Sequence, residues 1–257
     1  MGYWRGARRI VSGLRVAGAL AVFLALAGPW LIMPRGWRLR RCWVVVVWRA
    51  LLAGFGIKVV VHGRPIHGAG TLYVANHISW TDIPVLGMLI DAGFVAKGEI
   101  RAWPVIGRLT QAYGCLFVER ERRGHAHHQA AAMAQHLEDE RALVLFPEGT
   151  TGLGEGVLPF RSSLFAAVPG VADGTARVQP VTIRYCRRDG TAFSPAEQRQ
   201  VAWIDDDELV PHAGALAAMG GLCVEVSFEA PVEAHGRKAI AAACEAAITR
   251  RLASESA

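Results

Sequence analysis

Acidic residues are missing from the first third of this 257-residue chain: between Met1 and Thr81 there are ten Arg and one Lys, but no Asp or Glu. From Asp82 onward 17 bases meet 22 acids, so the formal charge of +6 comes entirely from the N-terminal end. A nucleic-acid-binding domain would carry its basic face on the folded unit. Here the bases are interleaved with apolar runs, which suits anionic lipid headgroups, and no nucleic-acid partner is expected. Cysteine is sparse and scattered. Cys42, Cys115, Cys186, Cys223 and Cys244 are odd in number and contain no Cys-x-x-Cys pair. That argues against a disulfide framework and a zinc ribbon, and fits a reducing, cytoplasmic setting in which the thiols serve as small buried hydrophobes. There is no internal repeat and no low-complexity linker. Charged residues make up only 19% against 52% hydrophobic, too apolar for a disordered chain yet too charged for a polytopic membrane protein. The length suffices for one α/β domain with its own core plus an apolar attachment.

The attachment lies at the N-terminus. After Arg5, Arg8, Arg9 and Arg15 comes an uncharged stretch from Val16 to Met33, closed by Pro34-Arg35-Gly36. As a helix at ~1.5 Å per residue it reaches ~27 Å, just short of the ~30 Å hydrocarbon core. Pro29-Trp30-Leu31-Ile32 offers no small-residue cleavage site, which disfavours a signal peptide. A second run, Cys42 to Phe55, is interrupted by Arg49 and flanked by Trp and Arg of the interface-anchoring kind. The two runs predict a membrane-embedded helical hairpin. Residues 1–56 are read as the anchor and 57–257 as the main domain.

From Ile57 the chain alternates β-branched runs with helical stretches. Strands are predicted at Lys58–Val61, Thr71–Ala75, Gly93–Ala96, Cys115–Val118, Leu143–Phe146, Val178–Arg184 and Leu222–Phe228. Most are continuously apolar, as in a sheet covered on both faces. Helices are predicted at Asp82–Ile90, Arg123–Glu140 and Arg237–Leu252. The expected fold is α/β: a mixed, largely parallel sheet flanked by helices. Asp205-Asp206-Asp207-Glu208 reads as a solvated loop or helix start.

Chemistry concentrates at Asn76-His77-Ile78-Ser79-Trp80-Thr81-Asp82, directly after a predicted strand. In a continuous helix His77 and Asp82 would be about 140° apart, so the chain must turn between them for the two to meet. Ser79, Thr81 and Asp82 before Pro84 look like a helix start, which places His77 on a strand-to-helix loop at the carboxyl end of the sheet. A histidine held by a carboxylate is an oriented, more basic acceptor for a hydroxyl proton. Two further strand ends join it: Gly114-Cys115-Leu116-Phe117-Val118-Glu119-Arg120 and Leu145-Phe146-Pro147-Glu148-Gly149-Thr150-Thr151. Loop amides and hydroxyls beside an Arg make a seat for an anionic headgroup.

The order and spacing resemble the glycerolipid acyltransferase family of lysophosphatidic acid acyltransferases. That family is marked by an Asn-His-x4-Asp block, a Gly-x-Phe-x-x-Arg-like block, a Phe-Pro-Glu-Gly-Thr block and a hydrophobic block around a proline. They fall here at Asn76 to Asp82, Gly114 to Arg120, Phe146 to Thr150, and Val178-Gln179-Pro180-Val181-Thr182-Ile183. The resemblance implies a membrane-attached enzyme that moves an acyl group from acyl carrier protein or acyl-coenzyme A to a lysolipid hydroxyl, without cofactor, metal or acyl-enzyme. The acceptor it implies first is lysophosphatidate. His77 would be the general base and Asp82 its support. Arg120, Glu148, Gly149 and Thr150 would hold the acceptor headgroup, with Pro180 shaping the acyl-chain side. Asn76, Gly114, Phe117, Phe146 and Pro147 would support them. The implied location is the cytoplasmic membrane, with the catalytic domain on the cytoplasmic face.

Two departures stand out. Many members carry Arg after Glu-Gly-Thr, where this chain has Thr151, and many have Lys-x-Gly downstream, where it has Phe160-Arg161-Ser162-Ser163. Arg161 can substitute as the cation. The Thr-Thr version with Leu-Pro-Phe-Arg-Ser-Ser looks like the branch that includes lyso-ornithine lipid acyltransferases, whose acceptor lacks the glycerol phosphate. From other classes, a non-catalytic lipid-binding module is disfavoured by the intact His77 and Asp82, and a thioester hydrolase would release free fatty acid without lysolipid. Gly152-Leu153-Gly154-Glu155-Gly156 lacks the helix a dinucleotide fingerprint needs. His125, His127, His128 and His136 have no matching carboxylate or cysteine set for metal. No Gly-x-Ser-x-Gly elbow occurs.

Overall fold

The structure is a computed structural model and describes residues 2–33, 38–67, 70–103, 106–113, 115–118, 142–167, 177–204 and 206–254. All seven expected strands form, with slightly shifted ends: β1 (Ile57–His62), β2 (Thr71–Ala75), β3 (Ala92–Lys97), β4 (Leu116–Val118), β5 (Ala142–Leu145), β6 (Arg177–Cys186) and β7 (Leu222–Phe228). They build one sheet in the order β1-β7-β6-β2-β5-β3-β4. The run from β6 to β4 is parallel, whereas β7 is antiparallel to β6 and β1 is parallel to β7. The sheet is therefore mixed and largely parallel.

Alternation within each strand divides the core into two layers. Tyr73, Ala75, Val144, Phe146, Val181, Ile183 and Tyr185 face one side, in a layer shared with α3 (Asp82–Leu89), the middle of α1 (Gly2–Ile32) and the C-terminal end of α2 (Arg38–Gly54). Leu72, Val74, Leu143, Leu145 and Val178 face the other, against Ile240, Ala241 and Cys244 of the C-terminal helix and Phe165 of the turn Ser162–Ala167. Burial on both faces explains why these strands read as continuous apolar runs.

Of the expected helices, α3 forms and the C-terminal one spans Arg237–Ser254, while the segment 123–140 lies outside the described residues. Three helices were not anticipated. α4 (Ile106–Tyr113) follows β3. α5 (Pro195–Val201) is opened by a complete capping box between Ser194 and Glu197 with Pro at its start. α6 (Leu209–Ala218) begins after Glu208, so the acidic run is in part a helix start, and its Asp207 pairs with Arg199 at 2.9 Å. The C-terminal helix is α7. Among the cysteines, Cys186, Cys223 and Cys244 are buried as expected, Cys115 is half-buried, and Cys42 is exposed on α2.

Helix α1 holds a window, Gly13–Trp30, long and apolar enough to cross a membrane and mostly uncovered by the rest of the fold. α1 and α2 pack together: Trp43 Nε1 donates to the Leu26 carbonyl at 2.7 Å, and Phe23 stacks on Trp48. The far end of α2 sends Leu51 and Leu52 into the main core, and Phe55, just past it, joins them. Arg41 of α2 donates to the Gly87 carbonyl at 2.7 Å, placing a cation at the carboxyl end of α3, where the helix dipole favours it. Gly87 is there because the space is taken: an added Cβ would meet Trp48 Nε1 at 2.7 Å and the Tyr113 hydroxyl at 2.9 Å. Replacing Gly87 by Ala should lower stability by about 1–3 kcal/mol through overpacking, read as a lower thermal midpoint in detergent micelles. An unchanged midpoint would show that the α2–α3 contact gives way freely.

Candidate active site

Strand β6 outruns its neighbour: Ala75, the last residue of β2, is opposite Val181, and β6 continues to Cys186. At ~3.3 Å per residue this leaves an overhang of some 16 Å against which the segment 76–81 settles. Asn76 makes the first tie. Its amide donates to the Ile183 carbonyl at 2.9 Å and its carbonyl oxygen accepts from the Ile183 amide at 2.8 Å, both buried. The chain then turns, and α3 starts at Asp82.

The turn brings His77 and Asp82 together. His77 Nδ1 is 2.7 Å from Asp82 Oδ2, which also accepts the backbone amides of Ile78 at 2.7 Å and Ser79 at 3.0 Å. An ionised carboxylate only accepts, so Nδ1 carries the hydrogen and Nε2 keeps its lone pair. The ring lies flat on Phe146, centroids 4.0 Å apart and planes 14° off parallel. Side-chain exposure separates the roles: Asp82 is 0% exposed and His77 is 16% exposed. One is sealed in, and the other is partly exposed.

The loop after β5 locks on from the other side. Glu148 Oε1 accepts the His77 amide at 2.8 Å, Glu148 Oε2 accepts the Leu158 amide at 2.9 Å, and the Gly152 amide donates to the His77 carbonyl at 2.8 Å. Glu148 is 4% exposed, so its oxygens face these backbone amides. Gly149 has φ +76° and lies under Arg161: an added Cβ would sit 3.1 Å from the guanidinium carbon. The Arg161 amide donates to the Pro147 carbonyl at 3.0 Å, and the side chains of Arg161 and Thr150 are exposed. His77, Asp82, Asn76, Phe146, Pro147, Glu148, Gly149, Thr150 and Arg161 thus form one neighbourhood. Pro180 is buried within β6 opposite Val74, its carbonyl accepting from the Glu229 amide at 3.0 Å. Phe117 is half-buried on β4 opposite Ala96. Gly114 and Arg120 lie outside the described residues.

Sequence reasoning missed a second ring of ties from 185–212. Tyr185 bonds to Asp82 and Thr81, the Trp203 amide donates to the Ile78 carbonyl at 2.9 Å, and the Thr151 hydroxyl donates to the Trp203 carbonyl. Gln198 donates to the Leu153 carbonyl, and Trp80 Nε1 donates to His212 Nδ1 at 3.1 Å. Only Tyr185 had a legible signal, the alternation Val181, Ile183, Tyr185 that points it toward α3.

A family profile described as Acyltransferase matches residues 58–184. The chain is 42% identical over 189 residues to the lyso-ornithine lipid O-acyltransferase of Brucella abortus, spanning 71% of this chain and 69% of that one. The chain belongs to the acyltransferase family. It is also 36% identical over 149 residues to the 1-acyl-sn-glycerol-3-phosphate acyltransferase of Neisseria meningitidis, 57% of each chain. The fold is that of the acyltransferase PlsC from Thermotoga maritima, whose crystal structure superposes with a TM-score of 0.68 at 19% identity over 97% of both chains. The Tyr185, Gln198, Trp203 and His212 ties all come from residues beyond the 58–184 match.

Burial pushes the Glu148 carboxyl up to about 7, against the Leu158 and His77 amides that favour its ionised form. An acid whose folded pKa lies above its unfolded value binds more protons when folded, so this group makes stability fall as pH rises from about 4.5 to about 7. Glu148→Gln removes that titration and sets an amide NH2 against a backbone N–H. The variant should be less stable at pH 5, and its stability should drop less between pH 5 and pH 7.5 than that of the parent, as measured by chemical denaturation. An equal drop in both proteins would remove Glu148 as the source.

Proposed function

We propose that this acyltransferase moves a fatty acyl group from an acyl thioester, carried by acyl carrier protein or coenzyme A, to the free hydroxyl of a lysolipid, with His77 as general base. The observation that carries this reading is the 2.7 Å bond from His77 Nδ1 to the sealed carboxylate of Asp82, which leaves Nε2 as the basic nitrogen. Nε2 takes the hydroxyl proton as the oxygen attacks the thioester carbonyl; the C–S bond then breaks and the imidazolium returns the proton to the leaving thiolate. A metal or acyl-enzyme has no part in that sequence. Glu148 acts by holding the His77 backbone, and Thr150 and Arg161 are the exposed groups beside it for the headgroup.

Lyso-ornithine lipid is the acceptor we favour. The Brucella relative, matched over the larger share of its length, bears that name, and Thr151, where many members carry Arg, directs its hydroxyl to the Trp203 carbonyl. Lysophosphatidate is the second reading, supported by the Neisseria relative and by the Arg161 guanidinium above Gly149. The apolar window Gly13–Trp30 with its arginine-rich flanks supports seating in a membrane.

His77→Ala should lower turnover by about 10²- to 10⁴-fold while leaving the protein folded and membrane-bound; near-parental turnover would overturn the mechanism. When the full chain is offered both lysolipids with either thioester donor, mass spectrometry should show acylated lyso-ornithine lipid as the main product. Phosphatidate as the main product would install the second reading, and charge reversal at Arg161 should then abolish it.

A further inference from the structure

The hydrogen bonds to the Asp82 side chain fall into two groups. Oδ2 takes His77 and the two loop amides, all within five residues of it in sequence. Oδ1 takes Tyr185, which approaches from β6, 103 residues away, with its hydroxyl at 2.5 Å. Tyr185 is 3% exposed, and Thr81 and Asp82 are 0% exposed. Thr81 Oγ1 lies 2.6 Å from the same phenol oxygen. The carboxylate can only accept, so the phenol hydrogen points to Asp82 and the Thr81 hydroxyl donates to the phenol. Burial and the nearby Asp82 charge push the Tyr185 pKa well up, so the phenol stays a donor throughout the working pH range. Thr81 stands at the N-cap position of α3, yet its side chain makes no cap bond there. Its hydroxyl serves this relay instead.

We infer that Tyr185 is a positioning residue for the transfer reaction. By donating to Asp82 Oδ1, backed by Thr81, it fixes the carboxylate plane so that Oδ2 stays aligned on His77 Nδ1. Without the phenol, Oδ1 would be a buried charged oxygen lacking a donor, and rotation of the carboxyl toward another partner would release the imidazole. The bond acts on the catalytic pair and not on either substrate. Its loss therefore affects kcat and leaves KM nearly alone. This inference rests on His77 being the base.

The test compares four variants of the full chain in lipid-containing micelles, with an acyl thioester and a lysolipid acceptor: Tyr185→Phe, Thr81→Val, Tyr73→Phe and His77→Ala. Tyr73 supplies a matched control, a buried phenol 2.6 Å from the Ile66 carbonyl and away from the catalytic pair. Tyr185→Phe should lower kcat by about 10- to 100-fold with KM for both substrates within about threefold. Its kcat should also follow a pH profile different from the parent's, because the pairing of the base His77 with its carboxylate has changed. Thr81→Val should have a smaller effect of the same kind, and Tyr73→Phe should leave the profile in place. If Tyr185→Phe retains parental kcat and pH profile while His77→Ala is inactive, the role of Tyr185 is overturned and the base assignment stands. If His77→Ala is active, the base assignment itself fails. Should Tyr185→Phe not fold, Thr81→Ser must restore the kcat that Thr81→Val loses, and equal activity of those two overturns the relay.

Discussion

A carboxylate taken out of water sets the terms for this site. Asp82 is sealed, so its charge is tolerable only if donors replace the lost solvent. Four do: the His77 imidazole, two amides of the turn and the Tyr185 phenol. Satisfying them demands a turn between residues 77 and 82, a helix beginning at Asp82 and a strand long enough to carry Tyr185 past the end of β2. Each requirement is met by a separate element, and together they fix which imidazole nitrogen is left to act.

The fold divides labour between residues that hold one another and residues left exposed. Asn76 spends its side-chain amide on the Ile183 backbone of β6, while Glu148 and Pro147 use their polar atoms on the backbone of the two loops. Thr150 and Arg161 remain exposed next to His77. The N-terminal helices share in the support: α2 reaches the His77–Asp82 pair through α3, whose far end Arg41 and Tyr113 hold at the Gly87 carbonyl. An apolar helix suited to a bilayer is thereby joined to the element that begins with Asp82.

Much of this was legible. Short apolar strands, the helix after the histidine loop and the paired loops at strand ends all follow from local periodicity and turn chemistry, and the structure brings the blocks 76–82 and 146–150 together beside β6. The function of Glu148 was less legible. The family resemblance implied a headgroup contact for it; in the structure its buried carboxyl accepts the His77 and Leu158 amides, partners that the sequence does not identify. Helix α5 carried its own start signal in Ser194-Pro195-Ala196-Glu197, while the short α4 lacks one.

The amino-acid order by itself determined the strands, the two-sided core and the five-residue separation that allows His77 and Asp82 to meet across a turn, because these depend on side-chain polarity and backbone geometry over a few residues. Only the tertiary structure decided that Tyr185 completes the shell of Asp82, that the Thr151 hydroxyl turns to Trp203, and that Trp80 leans on His212. Those partners lie 52 to 132 residues apart. No local preference encodes such a meeting; it exists only once the sheet has set the register of β6 against β2 and packed the helices over it.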